Sequence, residues 1–155
     1  MRYWLIKTEP STFSFTDLKN AENRTTCWEG VRNYQARNFL RSMNLGDPAF
    51  FYHSVVQPTA IIGIAEVVKT AYPDHTQFDP SSKYYDEKSN PEAPRWFMPD
   101  FRYLAEFSAP VTLEELKKIP GLEKMELLRK GSRLSVQPVT NEEWEIILNF
   151  RQVIY

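Results

Sequence analysis

The sequence predicts an α+β domain built on a curved, mainly antiparallel sheet flanked by short helices. Three observations carry this expectation. The 155 residues suit a single domain, 1–155, long enough to bury a core without a disulfide or a metal. About six stretches of strand length are mixed with short capped helices. No strand–helix–strand rhythm, heptad, internal repeat or low-complexity tract runs through them.

The elements follow in chain order. Tyr3 to Ile6 is aromatic and branched and ends at Glu9-Pro10-Ser11, which reads as a strand closed by a turn. Ser14 to Leu18 reads as a short capped helix. From Tyr34 to Met43 the apolar residues Tyr34, Phe39, Leu40 and Met43 recur at near-helical spacing, with Arg37 and Arg41 four apart on an exposed side. Leu45-Gly46-Asp47-Pro48 ends that helix, and Ala49 to His53 is a strand candidate. Ala60 to Val68 is apolar on both faces, so a central buried strand is expected. Tyr72 to Pro94, with four prolines, reads as a long loop of the functional or mobile kind. Trp96 to Phe107 alternates, which predicts Phe97, Phe101, Tyr103 and Phe107 on one face and Asp100, Arg102 and Glu106 on the other. Thr112 and Glu115 form a capping box, a helical turn near Met125 to Arg129 ends at Gly131, and Leu134 to Val139 is a last strand with Pro138 near an edge. Thr140 then caps a helix that buries Trp144, Ile147 and Leu148.

Composition excludes several classes. The lone Cys27 rules out an intramolecular disulfide and a cysteine-rich zinc module. His53 and His75 leave little material for a metal site or a histidine-based catalytic array, and neither metal nor cofactor is expected. Nineteen basic against twenty acidic residues exclude a protein that is basic throughout. No segment approaches the roughly 20 apolar residues of a membrane span, and no signal peptide is evident. A cytoplasmic protein is expected, and its single thiol fits a reducing compartment. What stands out is the aromatic content: 10 Phe, 8 Tyr and 4 Trp.

No nucleophile elbow, phosphate-binding glycine loop or dinucleotide fingerprint is present. His53 beside Ser54 offers a general base next to a hydroxyl, but also reads as a strand-end histidine bonded to backbone. The segment from Trp28 to Arg37 is more informative. It is a loop entering a helix, and it clusters Trp28, Arg32, Asn33, Tyr34, Gln35 and Arg37. Such content can stack a planar ligand, bind its edge and hold an anion. The same residues read equally well as core and hinge aromatics with arginines in surface pairs. Residues 24–41 and 124–133 each carry four cations against one acid, so charge is segregated along the chain. If these stretches meet, they form a phosphate-tracking patch that the net charge conceals.

Several motifs also carry a family likeness. Lys7-Thr8-Glu9-Pro10, Trp28 through Asn38, Phe51-Tyr52-His53-Ser54, Tyr72-Pro73-Asp74, Gln77-Phe78-Asp79-Pro80, Pro94-Arg95-Trp96 and Gly131 through Val139 occur in order over nearly the whole chain. Together they resemble the EVE domain family, in a compact form similar to bacterial members. One departure, Pro48-Ala49 where the family carries aliphatic residues, bears on the start of a strand and not on the pocket motif.

The resemblance implies a PUA-like fold, a barrel-like curved sheet with helices at its margins, and kinship with YTH, ASCH and SRA-type domains. It implies a non-enzymatic reader of modified bases in DNA or RNA that needs no cofactor. A pocket would draw on Trp28, Arg32, Asn33, Tyr34, Tyr52, His53, Ser54, Ser135 and Gln137, with Arg37, Arg129, Lys130 and Arg133 as phosphate ligands. The alternatives are a nucleoside-directed hydrolase or transferase using His53 and Ser54, and an interaction adaptor whose aromatics are all core. The expected partner is nucleic acid, not membrane or metal, and a monomer is consistent with the sequence.

Overall fold

The computed structural model describes residues 1–153 and 155. Six strands form one sheet: β1 (Tyr3–Thr8), β2 (Thr25–Cys27), β3 (Pro48–His53), β4 (Ala60–Pro73), β5 (Phe97–Thr112) and β6 (Val136–Val139). Four α-helices accompany them: α1 (Phe15–Asn20), α2 (Tyr34–Ser42), α3 (Leu113–Lys118) and α4 (Asn141–Arg151). The order across the sheet is β2-β5-β4-β3-β1-β6. The β1–β3 pair is parallel and the other neighbouring pairs are antiparallel. This is the α+β fold expected. The sheet is open, with β2 and β6 as edges, so its curvature stops short of hydrogen-bonded barrel closure.

Local signals account for the boundaries. Capping boxes Ser14–Asp17, Thr112–Glu115 and Thr140–Glu143 start α1, α3 and α4 by satisfying first-turn amides. Strand β3 begins at Pro48 itself, paired with Glu66, so the Pro48-Ala49 departure leaves that strand intact. Strand β4 lies inside the sheet and runs on to Pro73, into the segment expected to be loop.

Each face of the sheet carries its own core, because strand side chains alternate. Trp4, Ile6, Phe51, Val67 and Phe101 pack on one face with Leu18 of α1 and Leu40 of α2. Leu5, Phe50, Ile64, Phe107 and Val111 pack on the other with Leu116 of α3 and Trp144 of α4. The Trp144 ring stacks on Phe50 with centroids 3.9 Å apart. Aromatics therefore fill both layers.

Two expectations change. Phe107 lies on the face opposite Phe101, although the two are six residues apart. The register shifts where Ala65 pairs with Tyr103 and Ile64 with Ala105. The extra residue, Leu104, reverses the alternation, and sequence periodicity does not reveal such a bulge. In α2 the buried residues are Ala36 and Leu40, while Tyr34 is half exposed.

The stretch after β4 is an ordered hub. His75–Phe78 forms a 3-10 turn capped by Asp74. Gln77 is fully buried. Its Nε2 donates to the carbonyls of Asp74 and Trp96, and its Oε1 accepts from Ser89 Oγ and from the Arg95 and Trp96 amides. Asp86 accepts from the Trp96 indole at 2.8 Å. No helix among the described residues is long and apolar enough to cross a membrane.

Candidate functional site

A cleft of about 530 Å³ opens where β1 ends, and it falls in the size range of small-ligand sites. Its walls are Lys7 to Glu9, Thr12 and Phe13, the segment from Thr26 to Arg32, Lys83 and Tyr84, and Ser135. The turn at Glu9 shapes one wall, since the Glu9 carbonyl accepts from the amides of Thr12 and Phe13. Thr8 Oγ1 donates to the Phe13 carbonyl at 3.0 Å and fixes the same turn. Ser135 is held by the Lys7 amide, which donates to its carbonyl at 2.8 Å.

Trp28 belongs to the cleft and to the core at once. It is only 8% exposed and stands edge-to-face with Phe51, Phe101 and Phe13. Little of its indole is left for a ligand. Tyr84 supplies a second aromatic wall from the loop after β4. Its ring packs against Gly30, which has φ of +91° and whose missing Cβ would lie 2.6 Å from Tyr84 Cζ. Glycine is required there twice over, by the left-handed backbone and by the close approach.

Arg32 is the bolt of this wall. Its Nη1 meets Asp74 Oδ2 at 3.1 Å, and Nη2 donates to Thr76 Oγ1 at 3.0 Å. Nε and Nη2 both reach the Tyr84 carbonyl, at 3.0 and 2.7 Å. Asp74 is almost wholly buried and also accepts from the Gly30 amide at 2.8 Å. Burial works against its charge, but hydrogen bonds from Thr76 and Gly30 and the Arg32 guanidinium outweigh it and hold the pKa below the ordinary value. The guanidinium is thus spent on the protein, and the anion contact open to the Trp28–Arg37 cluster finds no free donor edge on Arg32.

The other sequence candidates fall in five places. Ser135 joins Trp28 and Arg32 on the cleft. Asn33 caps α2, its Oδ1 accepting from the Ala36 amide, and Tyr34 stacks on Trp96 at 4.8 Å with Arg37 over its ring. Tyr52 packs with the opposite core layer, where burial pushes its phenol pKa up. Gln137 is buried with its Nε2 on the Leu134 carbonyl. His53 and Ser54 tie the end of β3 to its neighbours: His53 Nε2 accepts from the amide of Phe15, the first residue of α1, at 3.1 Å, and the Ser54 amide donates to the Thr8 carbonyl. That bond occupies the His53 Nε2 lone pair, and burial lowers the His53 pKa. The nitrogen is therefore not available to take a proton from Ser54.

Among the phosphate candidates, Arg37 Nη1 donates to the Arg95 carbonyl, and Arg129 pairs with Glu126 at 2.7 Å. Lys130 and Arg133 are exposed. No residue from 124 to 133 lines the cleft, which that part of the chain reaches only at Ser135. Lys7, Glu9, Phe13, Cys27, Lys83 and Tyr84 line it without having been singled out as site residues. Lys7 and Glu9 were visible in the opening motif, and Tyr84 was an aromatic in a long polar loop. Burial raises the Cys27 thiol pKa, as do Glu29 and Asp100, so this sulfur is no activated nucleophile.

Fold and cleft define a class: an α+β fold whose open, mostly antiparallel sheet carries a cleft lined by aromatic, polar and charged residues. The chain belongs to the EVE domain family, whose pattern it matches over residues 2–150. It is 46% identical to mouse thymocyte nuclear protein 1 across 97% of this chain and 74% of that protein. A crystal structure of a Pseudomonas syringae protein superposes with a TM-score of 0.92 at 49% identity, covering 96% of this chain and 99% of that one. The human THYN1 protein, crystallised in complex with 5-methylcytosine containing DNA, superposes with a TM-score of 0.93 at 40% identity over the full length of both chains.

Proposed function

We propose that this chain is a DNA-binding module that reads a modified base, 5-methylcytosine or a close relative, in the cleft walled by Trp28 and Tyr84. The observation that carries the reading is the full-length match to a protein crystallised with 5-methylcytosine containing DNA. The cleft adds physical support. Extruding a base from a duplex costs a few kcal/mol. Aromatic stacking returns roughly 1–3 kcal/mol. Lys83, 5.1 Å from the Tyr84 ring centroid, and Lys7 bring positive charge to the same walls. Glu9 supplies an acceptor for an exocyclic amine. A buried methyl adds about 0.8 kcal/mol, so discrimination by that contact alone is roughly fourfold.

The test is a fluorescence titration of methylated and unmethylated oligonucleotides, DNA and RNA, double- and single-stranded, at one fixed salt concentration. Preferential binding of the methylated DNA, lost in Tyr84→Ala, is expected. Equal binding of all oligonucleotides, indifferent to Tyr84→Ala, sinks the reading.

A further inference from the structure

We propose that Cys27, Glu29 and His75 form a binding site for a borderline divalent metal ion of the zinc class, set in the wall of the cleft. One ligand atom from each residue lies within 4.8 Å of the other two. His75 Nε2 and Glu29 Oε2 are already 3.7 Å apart. A tetrahedral zinc ion with bonds of about 2.3 Å to sulfur and about 2.0–2.1 Å to nitrogen and oxygen places its ligand atoms roughly 3.3–3.6 Å from one another. The contraction needed is about an ångström, and side-chain rotation supplies it. The His75 and Glu29 side chains are 67% and 43% exposed.

The donor set selects the metal. A thiolate, an imidazole and a carboxylate suit zinc and its neighbours, whereas magnesium and calcium take oxygen ligands. The segments that carry the ligands are fixed to each other. Cys27 pairs with Asp100 in the sheet, and the Trp28 amide donates to the Pro99 carbonyl at 2.9 Å. Asp74, directly before His75, holds the Gly30 amide and Arg32. This second tie sets the 3-10 turn against the loop after β2. Binding exchanges one proton for the ion: the S–H bond breaks, a sulfur–metal bond forms, and the proton goes to solvent. Three protein ligands leave a fourth position for water or for a donor atom of a molecule in the cleft, because Cys27 and Glu29 line it.

The test is titration of the chelator-treated protein with cobalt(II) and then zinc(II). Cys27 is the sole cysteine, so a thiolate-to-cobalt charge-transfer band reports this sulfur alone. A one-to-one endpoint with that band is expected, with zinc displacing cobalt. Cys27→Ser should abolish the band. His75→Ala and Glu29→Gln, at exposed positions, should each weaken zinc affinity at least about tenfold while the thermal melt without metal stays unchanged. Absence of a charge-transfer band in the folded wild type overturns the proposal. So does zinc affinity that is the same in His75→Ala and Cys27→Ser as in the wild type.

Discussion

Tyr84 rests its ring on Gly30, and its backbone carbonyl accepts twice from Arg32. One loop residue thus closes the cleft wall with its side chain and fastens that wall with its main chain. Glycine with φ of +91° is what allows the approach. Gly30→Ala should destabilise the protein by more than about 1 kcal/mol, because alanine meets both a left-handed backbone and the Tyr84 ring. Denaturant unfolding measures this. A melt equal to the wild type would show that the ring moves aside freely.

Trp28 and Tyr84 should separate stability from binding. Trp28→Ala empties a site packed by Phe51 and Phe101 and should cost roughly 3–5 kcal/mol of stability. Tyr84→Ala removes a half-buried loop side chain but keeps the carbonyl that Arg32 uses. It should weaken binding of methylated DNA by about 1–3 kcal/mol, with a smaller loss of stability than Trp28→Ala. Paired melts and titrations decide. A Tyr84→Ala protein that binds normally would remove Tyr84 from the stacking role.

The Arg32–Asp74 pair is structural, with side-chain exposures of 22% and 1%. Asp74→Ala leaves the guanidinium without its counter-charge and should cost roughly 3–5 kcal/mol in urea unfolding. Arg32→Lys should not restore the wall, since an ammonium cannot reproduce the fork that reaches Asp74, Thr76 and Tyr84 together. A loss below about 1 kcal/mol for Asp74→Ala would mark the pair as ordinary surface charge.

His53 should give the fold a pH-dependent component. Burial lowers its pKa from 6.5, and the folded state uses the neutral ring to accept the Phe15 amide. Below pH 6.5 the unfolded chain binds more protons at this residue than the folded one. Its contribution is therefore complete above pH 6.5, falls as pH drops below it, and levels off beneath the folded-state pKa. Melts between about pH 7.5 and pH 5 should show this slope in the wild type and a shallower one in His53→Gln. Identical slopes would clear His53 of the effect.

Lys130 and Arg133 are exposed, whereas Arg129 is held by Glu126. If the first two contact phosphates, replacing both with Gln should reduce the salt-dependence slope of DNA binding by about two. Arg129→Gln should reduce it less. An unchanged slope in the double variant would place the DNA backbone elsewhere.

Much of this architecture is written in short-range signals. The boxes opening α3 and α4, the strand at Tyr3, the buried strand from Ala60 and the Leu134–Val139 strand depend on residues within a few positions of one another, where caps and alternation act. The ordered motifs from Lys7 to Val139 also sufficed to identify the family.

The site was legible only in part, since its walls come from residues far apart in the chain. Trp28, Arg32 and Ser135 meet on the cleft, while Tyr52 and Gln137 are buried elsewhere and His53 holds the start of α1. Tertiary structure decided that Phe107 faces away from Phe101, because one extra residue at Leu104 reverses the alternation. It also turned Arg32 inward, because the nearly buried carboxylate of Asp74, 42 residues away, needs a counter-charge that local sequence does not announce.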